Sequence, residues 1–88
     1  MAQASCMDVI SQVEALARLR VMCSTGNATR VRTAARVTVP EAARACGTHR
    51  ATLYRWERGT VRPTGAEAIA YLRLLERLAA ITGEVPVA

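Results

Sequence analysis

Apolar and polar residues follow one another along this chain with the period of helices rather than of strands. Residues 6–23, CMDVISQVEALARLRVMC, place Val9, Val13, Leu16 and Ala17 on one stripe, with Ile10 and Val21 beside it. The pattern predicts an N-terminal helix that turns this stripe to a core. Asp8 suits its first turn, where an acid meets the positive end of the helix dipole. Ser24-Thr25-Gly26-Asn27 then interrupts the chain. A shorter helix is expected from about Ala28 to Ala35, with Val31, Ala34 and Ala35 inward and Arg30 and Arg32 outward.

The run Arg36-Val37-Thr38-Val39-Pro40 carries two valines and reads briefly as a strand, but it is short and has no partner run. Thr38 as N-cap is the better reading. Pro40 then falls in the first turn, and Glu41, three residues after Thr38, completes a capping box. The helix from Val39 ends at Cys46, because Gly47 suits a left-handed position after a helix. Thr48 is expected to cap a second helix that runs to Arg58 and stops at Gly59. After the loop Thr60–Gly65, a last helix is predicted over 66–82, ending at Gly83. Its apolar residues, Ile69, Tyr71, Leu72, Leu74, Leu75, Leu78, Ala79 and Ile81, cover more than the stripe of about 100° that one packing face needs. Either the N-terminal helix or a second copy of the chain must cover the surplus.

The expected fold is therefore all-α: a compact bundle of about five helices containing a helix-turn-helix over 39–58, with the N- and C-terminal helices packed together. At 88 residues the chain has room for a single domain. No stretch approaches the roughly 20 uncharged apolar residues of a membrane span, and no signal-peptide pattern opens the chain. A cytoplasmic location is expected, nucleoid-associated or, for a phage-encoded protein, in the host.

Charge sharpens the picture. All twelve basic residues are arginines, against seven acids. Eight of the arginines fall within residues 30–62, where only Glu41 and Glu57 oppose them, so the whole excess of positive charge lies in the middle third. Such a segment is the footprint of a surface for a polyanion. An Arg-rich coding bias would also produce many arginines, but it does not explain why the acids avoid the same segment. Cys6, Cys23 and Cys46 are scattered and His49 is the only histidine, which leaves no metal-ligand spacing. The cysteines read as small buried hydrophobes; a zinc site is a remote alternative. No nucleophile–base pair, converging carboxylates or phosphate loop argues for an enzyme, and no cofactor or small-molecule ligand is expected.

The segment 39–58 joins two short helices through one glycine, the helix-turn-helix arrangement. Ala43 lies where the helices approach most closely, Gly47 takes the turn, and Leu53 and Trp56 give the second helix its buried face. The string VPEAARACGTHRATLYRWERG from Val39 to Gly59, followed by Arg62 and Pro63, resembles the XRE/Cro-CI helix-turn-helix family of repressors. The resemblance covers roughly residues 27–80 and leaves 1–23 outside. The Arg-only, Ala-rich style is similar to that of small actinobacterial and actinophage regulators. In that family the acid of the Trp-Glu-Arg-Gly string tends to serve a structural pairing, so Glu57 stays out of the site, with Arg36 as its expected partner.

With Leu53 and Trp56 inward, the second helix would enter the major groove of double-stranded DNA. The expected base-reading residues are His49, Arg50, Ala51, Thr52 and Arg55. Arg50 is the first candidate for a bidentate guanine contact, and Ala51 for a thymine methyl. Arg30, Arg32, Arg44, Tyr54, Arg58 and Arg62 are the expected phosphate contacts, joined by the N–H groups at the start of the Val39 helix. A homodimer through the last helix is an open alternative to a monomer. Competing functions are a DNA-architectural or excisionase-like recombination factor, and an antitoxin-like module that uses its last helix on a protein partner.

Overall fold

The computed structural model describes residues 5–83 and contains five helices: α1 (Ser5–Thr25), α2 (Asn27–Ala34), α3 (Val39–Cys46), α4 (Arg50–Arg58) and α5 (Gly65–Thr82). No strand occurs among the described residues, and none of the described helices is long and apolar enough to cross a membrane.

Local chemistry sets the boundaries around the helix-turn-helix. The Thr38 hydroxyl accepts from the Glu41 backbone N–H at 3.2 Å, and the Glu41 carboxylate accepts from the Thr38 N–H at 2.9 Å. This reciprocal box satisfies two of the donors that a helix start leaves unpaired. It also holds the Glu41 carboxyl below the usual carboxylate range, chiefly through the Thr38 backbone donor. At the other end Gly47 has φ 79°, the Thr48 N–H reaches the Ala43 carbonyl at 3.0 Å, and the Gly47 N–H reaches that of Arg44 at 3.3 Å. Those two bonds are the Schellman pattern. A Cβ at Gly47 would meet no atom within 4 Å, so the turn needs glycine for its dihedral alone. The expected cap of the next helix shifts by one: His49, not Thr48, is the N-cap of α4, and no side chain bonds there.

The core forms where α5 meets the other helices. Leu19 and Met22 of α1, Val31 of α2, Ala42 and Ala43 of α3, Leu53 and Trp56 of α4, and Tyr71, Leu72 and Leu75 of α5 are buried together. The Trp56 and Tyr71 rings stack at 6.2 Å between centroids. The apolar surplus of α5 is largely met inside the chain: Leu78 and Ala79 are buried and Leu74 is half-buried, whereas Ile81 is 77% exposed. Arg18 of α1 pairs with Glu76 of α5 at 3.2 Å on the surface, and the Arg20 guanidinium donates to the Pro63 carbonyl at 3.0 Å.

Besides the shifted cap, further expectations are overturned. The stripe on α1 predicted to face the core faces out: Val9, Ile10, Val13 and Val21 are 56%, 55%, 57% and 42% exposed. Of that stripe only Leu16 packs on the core, half-buried; Leu19, Met22 and Cys23 are buried, with Ala15 half-buried beside them. That second stripe carries the same helical spacing and lies on the side of α1 against which α5, α2 and α4 pack. The side chain of Cys6 lies outside the described residues. Cys23 and Cys46 are buried thiols, and burial, with the Glu57 charge adding to it, pushes the Cys23 thiol up to about 12.

Another correction concerns Arg36. It does not pair with Glu57 but closes α2, with φ 61°, as the only non-glycine described with positive φ. The Arg36 N–H bonds the Thr33 carbonyl at 3.0 Å and the Val37 N–H that of Arg32 at 3.2 Å, the same turn that Gly47 makes at the end of α3. A left-handed conformation costs a residue with a Cβ about 1–2 kcal/mol, part of which glycine returns through its freer unfolded chain. Arg36→Gly is therefore expected to stabilise the protein by about 0.5–1 kcal/mol, raising the melting temperature by several degrees. A lowered melting temperature would contradict the turn.

Candidate nucleic-acid interface

Leu53 and Trp56 turn one side of α4 into the core, and this decides which residues face out. Arg50, Ala51, Tyr54, Arg55 and Arg58 form one continuous exposed arc on the opposite side. His49 is exposed at the start of the helix, and Thr52 is half-buried at the edge of the arc. The Tyr54 ring is half exposed, and the Arg58 guanidinium lies 5.4 Å from its centroid while donating to its hydroxyl at 3.2 Å. This contact holds both side chains over the outer surface of α4.

The N-terminus of α3 abuts the same surface. Val39 and Pro40 meet Arg50, Ala51 and Tyr54 around a shallow recess, and Thr29 of α2 lies with Val39, Tyr54 and Arg58 around a neighbouring one. The structure thus gathers Arg50, Ala51, Tyr54 and Arg58 with the capped start of α3. Thr29 was not among the expected site residues, and the start of α3 was expected there through its backbone N–H groups rather than through the Val39 and Pro40 side chains. Pro40 and the capping box place the start of α3 in the sequence, but nothing local shows that it borders the outer face of α4.

The remaining arginines are spread out. Arg30 is exposed on α2, where it donates to the Asn27 side chain at 3.1 Å. Arg44 is exposed on α3. Arg62 sits in the α4–α5 loop and lines a groove between that loop and α1, with Val21, Trp56 and Val61, away from the recess beside Arg50.

Arg32 is the residue the sequence misplaces. It is 8% exposed, and its guanidinium holds the Glu57 carboxylate through two bonds, at 2.6 and 2.9 Å, and the Val37 carbonyl at 2.7 Å. The buried Tyr71 hydroxyl donates to the same carboxylate. These bonds turn the buried guanidinium inward, away from a phosphate on the outer surface. The Glu57 hydrogen bond raises the Arg32 guanidinium above its ordinary value, and burial, followed by Glu57, raises the Tyr71 phenol. Glu57 is structural, as expected, but its partner is Arg32 rather than Arg36. Among the described residues no cluster of His, Cys, Asp or Glu is arranged to hold a metal ion.

A family model described as a helix-turn-helix domain matches residues 28–84, from α2 to just beyond α5, leaving α1 outside. No curated protein and no solved structure matches the chain.

Removing one partner of a buried pair strands the other charge, at a cost of about 3–5 kcal/mol. Arg32→Ala is expected to destabilise the fold by that amount in urea unfolding, whereas Arg30→Ala changes it by less than about 0.5 kcal/mol. Equal effects of the two substitutions would contradict the assignment of Arg32 to the interior.

Proposed function

Because the chain belongs to the helix-turn-helix domain family, we propose that it binds double-stranded DNA sequence-specifically as a transcriptional regulator of Cro or repressor type. The chain acts as one DNA-binding domain in the cytoplasm, with residues 48–58 inserted in the major groove. In this reading it is an XRE/Cro-CI protein of actinobacterial or actinophage kind, acts without enzymatic chemistry or a cofactor, and excludes polymerase by occupying its operator.

The observation that carries the reading is the outer arc of α4. Arg50, Tyr54, Arg55 and Arg58, with Ala51 among them, occupy the side opposite Leu53 and Trp56, which is the side a recognition helix presents to base edges. Arg50 takes a guanine, with Arg55 further along the helix, and His49, Ala51 and Thr52 contact neighbouring bases. Tyr54, Arg58, Arg30, Arg44 and Arg62 hold phosphates, which fix register rather than sequence. Arg62, on the loop that follows α4, reaches a flanking phosphate rather than the groove floor.

The recombination-factor reading has no feature of its own to favour it, since a loop and α5 follow α4 rather than a β-hairpin. The protein-interaction reading moves from α5 to α1, where Val9, Ile10 and Val13 stand exposed. A homodimer through α5 rests on the little that helix leaves uncovered, chiefly Ile81.

Selection from random DNA duplexes at near-physiological salt is expected to return a defined motif. Half-sites about one helical turn apart would mark a dimer on DNA. Enrichment of no motif would overturn the proposal and leave only charge-driven contact. Arg50→Ala is expected to relax preference at one or two positions, losing about 1–3 kcal/mol of discrimination there. Arg62→Ala is expected to weaken binding evenly across sequences and to reduce the salt slope by about one.

A further inference from the structure

The outer face of α4 is not uniformly cationic. Between α3 and α4 lies a recess of about 270 Å³ lined by Val39, Pro40, Arg50, Ala51 and Tyr54. It is smaller than the roughly 300–1,000 Å³ of small-molecule sites. Pro40 has no N–H to offer, and the side chains of Val39 and Ala51 carry no polar atom, so these three side chains give a phosphate no donor. The Tyr54 hydroxyl, which accepts from Arg58, keeps its own O–H for a phosphate at the edge of the recess. On the major-groove edges of the bases, the apolar group that fits such a surface is the C5-methyl of a pyrimidine.

We propose that this recess is a methyl-reading site for a pyrimidine C5-methyl group, thymine or 5-methylcytosine, on the base pair next to the guanine held by Arg50. The inference rests on the major-groove reading above. The adjacency follows from the recess itself, which Arg50 lines together with Ala51 and Tyr54. The guanidinium and the apolar walls then read two neighbouring base pairs together.

The test uses the full chain and a duplex from the selection. Each thymine is replaced in turn by uracil, which removes the methyl and leaves every donor and acceptor in place. Replacement at the pair beside the Arg50-dependent guanine is expected to weaken binding about fourfold, the worth of one buried methyl-sized group. At the same position, 5-methylcytosine is expected to bind about fourfold better than cytosine if the methyl alone is read. A thymine-to-uracil loss without that gain supports the recess and assigns it to thymine. Val39→Thr keeps the shape of the wall and adds a hydroxyl, and is expected to bring the thymine-to-uracil ratio towards one. A motif without a C5-methyl pyrimidine beside that guanine, unchanged affinity for every uracil duplex, or a wild-type ratio in a folded Val39→Thr protein would overturn the proposal. Failure to select any motif would overturn the major-groove reading itself, a different and recognisable result.

Discussion

The buried carboxylate of Glu57 fixes how α4 sits in this protein. It is gripped by Arg32 from α2 and by the Tyr71 hydroxyl from α5, so one group ties three helices at one point. Leu53 lies one helical turn before it and Trp56 beside it, both in the core. An apolar trio of similar volume would hold the helices together as well or better. It would accept several rotations of α4 about its axis, whereas two guanidinium bonds and one hydroxyl bond accept few. The rotation matters because it decides which residues face outward. Turn α4 by one residue and Arg50, Tyr54 and Arg58 leave the outer face. The outward set of side chains on α4 thus depends on an ion pair that is itself buried.

The same pair explains what the sequence disclosed and what it withheld. The helix-turn-helix was legible because its signals are local. Thr38 with Glu41, Pro40, Gly47 and Gly59 each act within one turn of the chain, and the bonds they make are those their spacing implies. The outer arc followed from the same reading, since Leu53 and Trp56 leave only one side of a short helix free. The partner of Glu57 was not legible. Arg32 and Arg36 are four residues apart and would share a face on a continuous helix. Only the end of α2 at Ala34 separates them, sending Arg36 into a left-handed turn while Arg32 stays inward. The burial of α1 was ambiguous for a related reason. Two apolar stripes of equal period run along it, and tertiary contacts with α2 and α5 chose the one bearing Leu19 and Met22.

Electrostatic bookkeeping looks different once the interior is known. Of the two acids facing the arginine-rich segment, Glu57 neutralises a buried arginine and Glu41 is tied into its own cap. Glu57 therefore takes no part on the outer face of α4, while Glu41 stays an exposed, ionised carboxylate at the adjoining start of α3. Arg50, Arg55 and Arg58 outnumber it, and at physiological ionic strength the excess of positive charge acts over about 8 Å. Long-range attraction of this kind draws in any polyanion and reads no sequence.

Discrimination has to come from groups that are indifferent to phosphate, and this gives the small apolar residues between the arginines their significance. Ala51 and Pro40 expose carbon where every neighbouring side chain could have added a donor. On a surface selected only for affinity to a polyanion, an arginine or serine at those positions would add a phosphate contact. Carbon at the same place weakens non-specific binding slightly and penalises any base edge that brings a polar group into the recess without a partner, at about 1–3 kcal/mol. Specificity is a difference between affinities, and what a surface refuses contributes to it as much as what it holds. In the proposed reading the arginines and the recess work as a pair: one sets how strongly the protein meets DNA, the other where it stops.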